Sequence, residues 1–418
     1  MPFRSGSEFT WWPTCWLTAK RLRAHGTILA VCLWSFYAWN LVTPGLRDRS
    51  GNLKGTDFLH FYTLGALAAE HRGTDLYDMN AQSALAAQRV PEAAGIRYLP
   101  MYPPHVSLLF APLSYLPYAW ALAVWWFCSA VIYGACCFYF WRASPKLREY
   151  GGLVALLALA FPAFFHLIAW GQTSALALAC FTLMFFLLRA KKEFLAGLAL
   201  GCLIFKPQLG LAAAVIFLSI GAWKVLAGAT LSAVVELSIG ILYYGLEPFR
   251  RWLSVMWHIR NALPLVEPKL YQTHSLRTFW SMLLPWDDFS LALYVLSAVA
   301  VLTLTVFVWR RKESSLALQY SCLMFATVLV APHLTVYDLV ILAPAFLLLA
   351  DWLIAHTSNE SSNPLGMLLY LVYLLPLVGP FARWTHLQLS VVAMAACVFV
   401  IWKTILGGSA ASAAIKPM

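Results

Sequence analysis

Apolar residues in this chain gather into runs of helical length, separated by short basic breaks and by two long stretches of mixed charge. The runs are rich in Leu, Ala, Phe and Trp and lack the polar–apolar alternation of barrel strands, so they predict helices. The first, Thr27–Val42, follows Lys20, Arg21 and Arg23. A basic flank before an apolar run also fits a signal peptide. However, Thr43-Pro44-Gly45-Leu46-Arg47 supplies no small-x-small cleavage site, and a retained anchor is expected. Further spans are predicted over Ala119–Trp141, Gly151–Ile168, Thr173–Leu188, Val225–Tyr244, Phe289–Trp309, Leu316–Val330, Leu339–Ile354, Leu365–Phe381 and Leu387–Trp402. Phe194–Phe205 and Leu209–Trp223 read as two short legs meeting at Lys206-Pro207. The run His105 to Pro117 is too short to cross, since a span needs ~20 residues, and reads as a re-entrant or interfacial helix.

Between the first two spans, Phe58, Phe61, Tyr62, Gly65 and Ala69 recur at helical spacing within Asp57 to Glu70. That pattern predicts an amphipathic helix lying on the membrane surface.

Composition supports the same class. Hydrophobic residues are 61% of the 418 and charged residues 11%, a balance no soluble fold can hide but a bilayer solvates. The fold expected is all-α: one polytopic membrane protein with roughly twelve transmembrane helices and helices in its extracytoplasmic loops. Lys and Arg sit at the ends of apolar runs, which places both termini in the cytoplasm and residues 44–104 and 245–288 outside. A short N-terminal segment (1–26), one membrane domain (27–403) and a cytoplasmic tail (404–418) follow, in a cell inner (plasma) membrane. The net charge of +11 is thereby assigned to lipid contact, with no nucleic acid as partner. The nine cysteines fall in or beside apolar runs, so neither a disulfide framework nor a zinc site is expected.

Polar groups are expensive at membrane depth, so where they collect is where chemistry is sought. Here they collect at one face. Asp57, His60, Asp75 and Asp78 lie in the first outer loop, and His166 and Gln172 flank the next outer turn. Lys206 tips its helix pair, His258, Arg260, His274 and Arg277 belong to the second outer loop, and His333 and Asp338 lie in a late turn. Each has a structural explanation too. Asp57 opens a helix and would serve as a cap; Asp75 suits a turn; Lys206 can snorkel from a helix end; His333 can be a satisfied interfacial imidazole. Glu236, alone among acids well inside a span, suits a paired packing role better than a proton site.

The order of these motifs resembles glycosyltransferase family 87. Gly55-Thr56-Asp57-Phe58…Tyr62, Leu76-Tyr77-Asp78, Tyr102-Pro103-Pro104…Ala111-Pro112-Leu113, Gly171-Gln172, Ala196-Gly197 before Lys206-Pro207, and Pro332-His333…Tyr337-Asp338 carry the similarity, over about residues 27 to 350. The resemblance implies the C-type glycosyltransferase fold and a sugar, mannose in the family's characterised branch, transferred from a polyprenyl-phosphate donor to an extracytoplasmic glycan or glycolipid acceptor. It places Asp57 at the position of the family's catalytic aspartate. That agrees with the chemistry, because a sugar on a lipid phosphate already carries a good leaving group. One general base and a set of phosphate-stabilising cations then suffice, with inversion at the anomeric carbon. Lys206, His333, Arg277 and His274 are the candidates for phosphate or sugar contact, with His60 and Asp338 beside them in substrate binding. No Asp-x-Asp pair stands in the outer loops, so no metal and no other cofactor is expected.

A transporter or flippase of lipid-linked sugars is the alternative from another class. It would want polar groups lining a path to the cytoplasmic side and broken helices in corresponding halves, whereas here the polar groups stop at one face. A polysaccharide polymerase or ligase shares the large outer loops but not the early Asp57 motif. The topology makes a direct prediction. In a cysteine-free background, cysteines placed at Ser83 and Gln272 should be labelled by an impermeant thiol reagent on intact cells, and one in the C-terminal tail should not. The reverse pattern would invert the protein.

Overall fold

The computed structural model describes residues 17–259, 269–311, 313–356 and 363–414. Residues 1–16, 260–268 (with Arg260), Lys312, 357–362 and 415–418 therefore lie outside the described residues. Among the described residues the chain is helical throughout, and extended pairing is limited to two isolated bridges, Arg47 with Leu53 and Thr273 with Thr335.

Six helical stretches are long and apolar enough to cross a membrane: Tyr118–Ala143, Trp223–Tyr244, Asp287–Arg310, Val336–Ala355, Pro364–Thr385 and Leu389–Gly407. A seventh forms if Pro145–Leu159 and Pro162–Trp170, bent by 47° at their junction, count as one span. Pro162 explains the bend, because it has no N–H to continue the ladder and its ring crowds the preceding turn. The expected twelve spans are not confirmed. Ser174–Arg189, Glu193–Phe205, Pro207–Ser219 and Leu316–Val330 are apolar but shorter than a full crossing. Ala19–Leu41 places Lys20, Arg21 and Arg23 in its own first turns, leaving a short apolar remainder. Lys206 and Pro207 do stand between two short helical legs, as the sequence suggests.

One of these short helices sits inside the bundle. Leu316–Val330 is buried along almost its entire length, and its Tyr320 hydroxyl donates to the Phe181 carbonyl at 2.6 Å. The first short leg, Glu193–Gly201, lies in backbone contact with Trp223–Tyr244. A Cβ on Gly197 would fall 2.0 Å from the Val225 carbonyl oxygen, one on Gly201 2.2 Å from that of Ala229, and one on Gly228 2.1 Å from that of Phe194. Gly197 and Gly201 are four apart on one helix face, the small-residue spacing that lets membrane helices touch where lipid offers no hydrophobic drive.

The segment before Tyr118 folds into a cap that corrects one expectation. Helix Thr56–Ala69 is not a surface amphipathic helix: every residue from Phe58 to Ala68 is buried. Beyond the helix start, the polar residues off its apolar face are only His60 and Thr63, and both are packed, so the helix is buried on every side. Gly65 permits this, since a Cβ there would lie 2.3 Å from the Phe110 carbonyl oxygen. Helix His105–Phe110 and the turn Ala111–Tyr115 then lie against it, as short as the sequence suggests. The second long loop docks on the same cap through its amphipathic helix Leu246–Trp257. Trp252 Nε1 donates to the Met101 carbonyl at 3.0 Å, and Arg251 to that of Thr74 at 3.3 Å.

The glycine contact is testable in isolation. Gly197→Leu should abolish or strongly reduce the monodisperse protein recovered in detergent, since overpacking of even a few atoms costs about 1–3 kcal/mol and here backbone blocks the way. Gly134→Leu, on an open face with nothing within 4 Å of its Cβ position, should purify like the parent.

Candidate functional site

Asp57 is the second residue of helix Thr56–Ala69, where a negative charge is favoured by the helix dipole. The chain enters through Gly55 at φ 64°, a left-handed conformation that only glycine adopts freely. The Tyr118 hydroxyl reaches the carbonyls of Lys54 at 2.8 Å and Gly55 at 2.9 Å, and that of Tyr98 donates to the Thr56 carbonyl. Gly55 is the N-cap and no side chain caps the helix, so capping does not account for Asp57. Its carboxylate instead accepts a 2.6 Å hydrogen bond at Oδ2 from Gln172 Nε2.

Gln172 arrives from the end of helix Pro162–Trp170. Gly171 terminates that helix at φ 70°, and a Cβ on it would sit 2.6 Å from Phe58 Cβ. The Trp125 indole stacks on Phe58 and donates to the Gly171 carbonyl at 3.0 Å, locking turn to helix. Burial pushes the Asp57 carboxyl up to about 6, against the opposing pull of the Gln172 hydrogen bond and the Lys206 ammonium and with a further push from Asp338. Asp57 is thus a carboxylate at neutral pH with raised basicity.

Lys206 does not snorkel. It is 4% exposed, and Nζ donates to Asp338 Oδ1 at 2.8 Å and to Ser174 Oγ at 3.1 Å. Ser174 also donates to Asp338, and the Tyr337 ring lies 5.1 Å from the ammonium. Asp338 turns its other oxygen to Thr335 in a capping box that opens the turn Val336–Leu342. Against that turn lies 273–278: Arg277 Nε donates to the Pro332 carbonyl, and the His274 amide to that of Leu334 at 3.2 Å. His333 lies within electrostatic reach of Asp338. Lys206, His274, Arg277, His333 and Asp338 therefore meet at one end of the bundle, and Lys206 and Asp338 act electrostatically on Asp57.

The two buried histidines differ from the cations around them. His60, three residues along from Asp57, faces the rings of Tyr98 and Tyr102 at 5.1 and 5.8 Å, and burial lowers its pKa to about 4. His274 accepts or donates at Nδ1 to Ser390 Oγ at 2.7 Å, and burial lowers it to about 3. Both are neutral at pH 7 and offer hydrogen bonds, not charge. Other polar groups stand apart in structural roles. Asp75 pairs with Arg72 at 2.8 Å, Asp78 caps helix Met79–Arg89, and Glu236 pairs with His105 at 3.4 Å. His258 is exposed at the end of its helix and bonds only locally, to the Ser254 carbonyl at 2.8 Å.

Gln172, Ser174 and Tyr337 are the site residues that the sequence did not single out for a role. Gly171-Gln172 was visible as a motif, but its contact with Asp57 spans 115 positions. Ser174 meets Asp338 across 164 positions, and no local pattern marks such a pairing.

Long apolar helices around a buried carboxylate–ammonium cluster define a multi-pass membrane protein with a polar centre at one end of its bundle. The profile of glycosyltransferase family 87 matches residues 100–334, more than half of the chain, and the chain belongs to that family. It is thus a membrane glycosyltransferase. The matched stretch includes Gln172, Lys206, His274, Arg277 and His333, whereas Asp57 and His60 precede it and Asp338 follows. No curated protein and no solved structure matches the chain.

The buried pair predicts an asymmetric stability pattern. Lys206→Met should strand the Asp338 carboxylate and destabilise the protein by about 3–5 kcal/mol. Adding Asp338→Leu should restore most of the loss, because an uncompensated charge, not the missing contact, is the damage. Unfolding followed in detergent reads both. A double variant no better than Lys206→Met would show that the pair is not the source of the loss.

Proposed function

We propose that this glycosyltransferase moves a sugar, mannose by family resemblance, from a polyprenyl phosphate to a glycan or glycolipid acceptor, with Asp57 as general base. The observation that carries this reading is the state of the Asp57 carboxylate: one oxygen held by Gln172, the other without a hydrogen bond among the described residues. A base needs a fixed position and a free lone pair, and a structural carboxylate would be bonded at both oxygens. The raised pKa adds to this, since the best base titrates near the working pH.

In the reaction, an acceptor hydroxyl oxygen attacks the anomeric carbon while its proton passes to Asp57 Oδ1. The bond from that carbon to the phosphate oxygen breaks, and its electron pair leaves with the polyprenyl phosphate. One displacement inverts the anomeric centre. Charge grows on the departing phosphate, which calls for cations nearby. Arg277 and Lys206 supply them, with Asp338 and Ser174 holding the ammonium in place and His333 as a further candidate for phosphate or sugar contact. Neutral His60 and His274 suit sugar hydroxyls. A C-type fold with this end on the extracytoplasmic face of the plasma membrane accords with the positive flanks of the spans.

Asp57→Asn keeps shape and most polarity but cannot take a proton. With purified protein, a panel of polyprenyl-phosphate sugars and a membrane-lipid acceptor extract, it should lose ~10²–10⁴-fold in turnover with folding and donor binding retained. Asp57→Ser should fail equally. Transfer at close to the parent rate by both would remove Asp57 from the chemistry.

A further inference from the structure

The amide of Gln172 makes two hydrogen bonds that together determine its orientation. Its Oε1 accepts from the Thr173 amide at 3.3 Å, and its Nε2 donates to Asp57 Oδ2 at 2.6 Å. A backbone N–H can only donate, so the carbonyl end must face Thr173 and the amino end must face Asp57. The residue is 6% exposed, and the turn that presents it is wedged between Phe58 and Trp125 by Gly171, where no Cβ fits. Nothing about this placement is left to a mobile surface rotamer.

We propose that Gln172 is the positioning residue for Asp57, gripping Oδ2 so that Oδ1 alone faces the acceptor hydroxyl and takes its proton. The inference rests on the reading of Asp57 as base. An amino group donating to one oxygen favours the ionised carboxylate, so Gln172 also sets the pH at which Asp57 becomes available. Burial works in the opposite direction. The other groups facing Asp57 are Lys206 at the tip of its legs, Asp338 and Tyr337 on the turn opposite, Tyr98 and Tyr102 from the cap loop, and Tyr118 from the long helix. At neutral pH the tyrosines are uncharged, and Lys206 and Asp338 oppose each other through their own ion pair. Gln172 is therefore the group whose removal moves Asp57 with least disturbance elsewhere.

Gln172→Met keeps the length and removes both bonds; Gln172→Glu keeps the shape and sets a second carboxylate against the first. The protonated Asp57 carboxyl is read directly as the infrared band lost in Asp57→Asn, titrated on the whole purified protein in detergent without any donor. The parent should titrate near 6. Gln172→Met should titrate about one unit or more higher, and Gln172→Glu higher still, since like charges disfavour ionisation. With polyprenyl-phosphate mannose as donor, the acidic limb of kcat/KM should move by the same interval, so that Gln172→Met loses about threefold near pH 6.5, approaches a tenfold loss near pH 5 and recovers toward pH 9. A purely structural role would lower the rate at every pH and leave the band's midpoint in place. An unmoved midpoint in folded Gln172→Met overturns this inference and leaves the base assignment standing. A fully active Asp57→Asn overturns both.

Discussion

The ion pair between Lys206 and Asp338 is the contact on which the functional end of this protein depends. An ammonium buried in an apolar bundle is held only if its partner and its remaining donors are satisfied, and here Asp338, Ser174 and the face of Tyr337 do this. The pair joins the tip of the short legs to the turn that opens Val336–Ala355, and Ser174 ties in the start of Ser174–Arg189. Three segments distant in sequence are thereby brought to one point. The same neutralisation lets Asp57 keep its charge nearby, because an unpaired Asp338 would push it toward protonation.

Around that point the chain uses rings and glycines more than polar contacts. Phe58, Trp125, Tyr118 and Tyr98 close on the entry to the Asp57 helix, and Gly55 and Gly171 let two backbones come closer than side chains would allow. The gain is rigidity at the carboxylate. A base must be held to within a few tenths of an ångström of its proton donor, and a helix start fixed by several aromatic contacts does this better than a free loop.

Much of this was legible in the sequence, and the boundary of what was is physical. Apolar periodicity and the basic flanks marked the helices, the short legs around Lys206-Pro207 and the end of the molecule where polar groups gather. Length does not confirm the count of twelve spans, because helices such as Leu316–Val330, buried in the bundle, fall short of a full crossing. Periodicity misled at Thr56–Ala69, where His60 and Thr63 looked like a wet face and are packed. Lys206 and Asp338 were each visible as costly charges, but their pairing was not, since nothing local connects residues 132 positions apart. The same holds for Gln172 and Asp57.

The central claim is a single displacement driven by one carboxylate, and the anomeric configuration of the product tests it most directly. Purified protein incubated with an isotopically labelled polyprenyl-phosphate sugar of defined anomeric form should give one product, with the opposite configuration by nuclear magnetic resonance. A product of retained configuration would require a second nucleophile or a different approach to the sugar, and would contradict the assignment of Asp57 as sole base.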